Sequence, residues 1–92
     1  STEEYEEMTA DRKDLVREIQ RRILSIKKAV HDMTEARKVA NHLGSQVEKA
    51  FSYEEKVRPY LEEIREHIDS LELEIDDEIW PLPKYRELLF TK

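Results

Sequence analysis

The sequence predicts an all-α fold, an antiparallel hairpin of two long helices closed by an ordered Pro- and aromatic-rich tail. Three observations predict it. Apolar residues recur at alternating spacings of three and four over two long stretches. The stretches meet at the chain's single glycine, Gly44, followed by a capping pattern. Among 92 residues, 41% are charged and 38% hydrophobic, with one Gly and three Pro, which leaves few turns for a β fold.

The first stretch, about residues 5–43, carries Met8, Leu15, Ile19, Ile26, Met33 and Ala40, with Val16, Ile23 and Val30 widening the stripe. It reads as an amphipathic helix with one buried face. Its start is expected near Thr2 or at Asp11. Glu18 and Arg22 form a favourable i,i+4 pair. Gly44 stands where a left-handed C-cap is wanted, and Ser45-Gln46-Val47-Glu48 fits a capping box that starts the next helix.

The second helix, about residues 46–78, presents Val47, Ala50, Val57, Leu61, Ile64, Ile68, Leu71 and Ile75. Pro59 removes a backbone donor inside that pattern and predicts a kink. A restart at Ser52-Tyr53-Glu54-Glu55, a second capping pattern, is the less favoured alternative. A turn at Gly44-Ser45 makes residue i face roughly residue 89−i, so that Ala29 meets Tyr60, Ala36 meets Tyr53 and Arg22 meets His67. Small residues then oppose large ones, as interdigitated packing requires. Leu24 and Leu73 fall outside both stripes, which points to a further surface. A core this modest is marginal without a partner.

A formal charge of −6 disfavours nucleic acid and anionic membrane surfaces as partners. The absence of Cys removes disulfides, thiol nucleophiles and thiolate metal sites and fits a cytoplasmic protein. No apolar run approaches membrane-spanning length, and STEEYEE is not a signal peptide. His31 with Glu35, and Glu63 with His67, have metal-ligand spacing on a helix, but the facing rule keeps the two pairs apart. The acidic runs Glu3-Glu4-Glu6-Glu7 and Asp76-Asp77-Glu78 lack the loop spacing of a cation site and read as solvated surface. No catalytic, cofactor-binding or metal residue is expected in this segment.

Two resemblances follow. Leu61-Glu62-Glu63-Ile64-Arg65-Glu66-His67-Ile68-Asp69-Ser70-Leu71 resembles the first-helix pattern of all-helical chorismate mutases. In that family the pattern opens the chain, whereas here 27 residues follow Arg65 and Pro81 and Pro83 interrupt them. The stretch Trp80-Pro81-Leu82-Pro83-Lys84-Tyr85-Arg86-Glu87-Leu88-Leu89-Phe90 resembles the extreme C-terminus of type III glutamine synthetases, the large bacterial form. Val57-Arg58-Pro59-Tyr60-Leu61 and Ile64 to Glu72 match the helix preceding that element, with Tyr60 where the pattern has a Met. The likeness covers Val57 to Phe90 and is weak over residues 1–50.

The second resemblance implies a parent that makes glutamine from glutamate, ammonia and ATP with magnesium or manganese, as a large ring-shaped homo-oligomer. The parent's catalytic domain is absent, and its motifs are not in these residues. The segment is therefore expected to be non-catalytic and to serve structure, assembly or regulation. Its expected partners are the catalytic domain of its own chain and neighbouring subunits. Pro81 and Pro83 fix two φ angles, which lowers the entropy cost of ordering a docking strip. Trp80, Pro81, Leu82, Pro83, Tyr85, Leu88, Leu89 and Phe90 are the candidate docking residues, with Leu73 and Leu24 as candidate contacts. A stand-alone, dimeric helical interaction module is the alternative reading.

Overall fold

The computed structural model describes residues 1–79, and these are helical without a strand. The first arm is α1, Thr2–Asn41. The second is helical throughout: α2, Gln46–Ser52, a π-helical turn at Tyr53–Val57, and α3, Arg58–Ile79. The tail from Trp80 to Lys92, with its eight candidate docking residues, lies outside the described residues.

α1 begins at Thr2, and Asp11 lies inside it. Ser1 accepts a hydrogen bond from the Glu4 amide while the Glu4 side chain returns to the Ser1 nitrogen, so two otherwise unpaired groups are satisfied. At its other end the expected left-handed glycine cap does not form. α1 stops at Asn41, and His42 and Leu43 close it with tightened bonds to the Val39 and Ala40 carbonyls, 3.1 and 3.2 Å. The His42 Nδ1 lies 2.6 Å from the Lys38 carbonyl and donates to it, covering one more orphan acceptor.

Gly44 has no positive φ, and a Cβ built on it would meet nothing within 4 Å. Its freedom is therefore not required by the folded chain. Gly44→Ala is expected to raise stability by about 0.5 kcal/mol through the unfolded state, checked by the urea midpoint. Ser45, with extended backbone, then caps α2 by accepting from the Glu48 amide at 3.1 Å.

No restart occurs at Ser52, which is helical and makes no side-chain cap bond. At the predicted irregularity the backbone instead widens by one turn. The Arg58 amide donates to the Tyr53 carbonyl, five residues back. An α-helical Pro59 would lack a donor for the carbonyl four residues back and would press its ring on it. The wider turn just before it relieves both, and Glu54 and Glu55 are exposed, so freed carbonyls there reach water. The turn also winds more residues per revolution, which shifts the phase of everything before it. Val47 and Ala50, predicted to share a buried stripe with Val57, are exposed for that reason.

The arms touch in reversed order. Tyr53 reaches Asn41, Ala29 shares a cavity with Tyr60, and Arg22 reaches His67 and Glu74. Small residues sit at the seam: Ala29 and Ala40 are buried, with Val57 the third buried apolar side chain among the described residues. The shape is flat and extended, 67 × 35 × 12 Å, with a radius of gyration of 20.4 Å. A compact domain of this length would have about 12 Å. It is one layer of helices where stable domains usually stack two.

Candidate docking site

The seam carries the polar constellation of the chain. Arg22, at the middle of α1, is partly buried. Its Nε donates to Glu74 across the seam at 3.2 Å, and the Glu18 carboxylate, one turn back, pairs with its charge at 3.1 Å. Its NH1 donates to His67 Nδ1 at 3.3 Å, which places the imidazole proton on Nε2 in this arrangement. Glu18 also takes a bidentate contact from Arg21, and that hydrogen bond first, with both arginine charges, holds its carboxyl below the usual range. Glu74 Oε2 is shielded from solvent and has no hydrogen-bond partner among the described residues. Lys28 and Asp32 pair at 2.7 Å, which raises the Lys28 ammonium above its ordinary value. Arg22 ties the arms together through Glu74 and His67, whereas the Arg21–Glu18 and Lys28–Asp32 pairs lie within α1.

The two metal-like pairs do not meet. Glu35 takes Lys38 at 3.1 Å, and His67 is held by Arg22. Among the described residues no three His, Asp or Glu side chains converge as metal donors. Arg65, central to the mutase-like pattern, is exposed on α3. Among the described residues no helix is long and apolar enough to cross a membrane.

Leu24 and Leu73 are 66% and 65% exposed, so both present open apolar surface. By the 100° step of a helix they point away from the seam, each on the outer side of its own arm. The larger apolar surface is one that sequence reading had assigned to the interior. Val16, Ile23 and Val30 were read as the widened edge of a buried stripe, yet all three are exposed. Leu61, Ile68 and Ile75 on α3 are likewise exposed. Each of these six stands one residue after a position of the seam: Ile23 follows Arg22, Val30 follows Ala29, Leu61 follows Tyr60, Ile68 follows His67 and Ile75 follows Glu74, with Val16 seven before Ile23. That one-residue offset was present in the sequence as two parallel heptad series, and it was the signal to follow.

In two helices running in opposite directions, a one-residue advance turns both side chains toward the same side of the layer. Val16 with Ile75, Ile23 with Ile68 and Val30 with Leu61 therefore form three successive rungs of one apolar face. The opposite side carries the Lys28–Asp32 pair and a small cavity of about 290 Å³ lined by Ser25, Lys28, Ala29, Asp32, Tyr60 and Glu63.

No family model matches the chain. Among curated proteins, a glutamine synthetase of Bacteroides fragilis (strain YCH46) is 73% identical over all 92 residues. The chain is similar, end to end, to a segment of a glutamine synthetase. It spans 13% of that protein's length. The likeness first drawn over Val57 to Phe90 thus extends over residues 1–50 as well, where helical character alone had agreed.

Proposed function

We propose that the chain is the C-terminal helical region of a type III glutamine synthetase, a non-catalytic segment that buttresses the subunit or shapes its assembly. The end-to-end identity to the Bacteroides fragilis enzyme carries the reading. The Trp80-Pro81-Leu82-Pro83-Lys84-Tyr85 spacing, set before Leu88-Leu89-Phe90, supports the C-terminal position and the type III form. The parent would join ammonia to glutamate at the expense of ATP, with magnesium or manganese, in a cytoplasmic homo-oligomer of large size. Those cofactors belong to the missing catalytic domain, and no residue here is assigned to them.

The segment's architecture in this reading is an antiparallel hairpin whose second arm bends at Pro59. The reversed contacts between the arms and the π turn ahead of Pro59 support it. Its partners would be the catalytic domain of its own chain and neighbouring subunits.

The purified 92-residue chain is expected to form no glutamine from glutamate, ammonia and ATP. Removing the matching segment from the Bacteroides fragilis enzyme should shift its assembly to smaller species in sedimentation. Glutamine formation by the isolated chain, or unchanged assembly and activity after the deletion, would sink the assignment. The exposed apolar face favours one second reading, a self-associating interaction module. A concentration-dependent dimer of the isolated chain would support it.

A further inference from the structure

We infer that the apolar face formed by Val16, Ile23 and Val30 of α1 and Leu61, Ile68 and Ile75 of α3 is a docking groove for the chain's own C-terminal segment, Trp80 to Lys92. The inference stands on the described arms and on the tail's sequence, and does not depend on the parent enzyme.

Four features select this occupant. The first is continuity. α3 is described as far as Ile79, four residues after Ile75, so the segment that follows in sequence is joined to the arm next to the Val16–Ile75 rung. The second is length. Successive rungs are seven residues apart, about 10.5 Å along a helix, so the three rungs span about 21 Å. Thirteen residues reach about 40 Å when extended, enough to turn back and run along the groove.

Apolar spacing is the third feature. Tyr85, Leu88 and Leu89 fall at intervals of three and four, which gathers them on one side if that stretch is helical, and Trp80 and Leu82 precede them. Charge is the fourth. The tail carries Lys84, Arg86 and Lys92 against Glu87, while the last turns of α3 carry Glu72, Asp76, Asp77 and Glu78. A basic strip folding back along an acidic helix end gains attraction that a second copy, itself acidic at a formal charge of −6, does not offer. Pro81 and Pro83 open the segment, and their fixed φ angles reduce the entropy lost when it is ordered.

Occupancy would convert a single layer into a two-layer arrangement without another chain. Leu24 and Leu73, on the outer sides of the arms, remain uncovered by it.

The chain has no Cys, so introduced pairs report without interference. Disulfide closure requires Cα atoms within about 7 Å. In the full 92-residue chain, Ile75→Cys with Leu88→Cys and Val16→Cys with Leu88→Cys are both expected to close within one molecule under mild oxidation. Leu73→Cys with Leu88→Cys should close at least tenfold more slowly, although its loop is nearly the same length as that of the Ile75 pair. Circular dichroism of each reduced variant tells a folded chain from an unfolded one. Equal rates for the Ile75 and Leu73 pairs overturn the inference, as does a Val16 pair that stays reduced in a folded chain. Bonds that link two molecules also overturn it and assign the face to a second copy.

Discussion

Ala29→Leu is expected to disrupt the packing between the two arms. Ala29 is 2% exposed and sits where α1 meets Tyr60. The three added carbon atoms have nowhere to go unless Tyr60 swings out or the arms separate, and overpacking of this kind costs about 1–3 kcal/mol. In most domains that loss is tolerable. Here the buried apolar side chains among the described residues are Ala29, Ala40 and Val57, so little else opposes the separation. Folded domains hold only about 5–15 kcal/mol in total, so a loss of this size is a large fraction. Urea unfolding followed by circular dichroism should show the midpoint displaced strongly or the cooperative step lost. Leu24→Ala, at an exposed position on the same helix, should stay within about 0.5 kcal/mol. An unchanged midpoint for Ala29→Leu would mean that the arms do not bear on each other there.

Val57→Asp should act at least as strongly, by a different route. Val57 is 4% exposed and closes the π turn against α1. The adjacent cation, Arg58, is already held by Glu54 and Glu62 and is not aimed at that site. An unpaired charge at a buried site costs about 3 kcal/mol or more. Because the cost falls on the charged form, the variant should recover stability as the pH drops through the carboxylate range. The check is the urea midpoint measured at neutral and at acid pH, against Val57→Asn as the uncharged control. Equal loss at both pH values would show that lost packing, not charge, is responsible.

Helix existence was legible because the three-four spacing runs for tens of residues, and that signal survives any error at the ends. The cap at Ser45 was legible because a hydroxyl three residues before Glu48 has one obvious partner. The facing rule found Arg22–His67 and Ala29–Tyr60, since both follow from a short turn and a constant rise.

Gly44 misled because glycine after a helix is usually there for its left-handed φ, and here the last turn closed without it. Val47 and Ala50 misled because a count that assumes one helical pitch does not register a π turn. The candidate site was legible only in part. The tail spacing pointed to glutamine synthetase, and the whole chain agrees with that likeness. The exposed face was hidden within an apparently single stripe, because exposure depends on which of two adjacent heptad series the partner helix takes.

That one-residue offset has a consequence for how the sequence can change over generations. The identity of each face is written in the phase of each arm, not in the connection between them. Added or lost residues in the His42–Ser45 link alter the reach of the loop and leave both phases intact. A single residue gained inside α1 between Val16 and Ala29 would turn the preceding turns by about 100° and carry their apolar positions off the groove side. Variation in length should therefore collect in the connection and at the π turn, where the helix already accommodates a wider turn. Within the arms, substitution is the freer path.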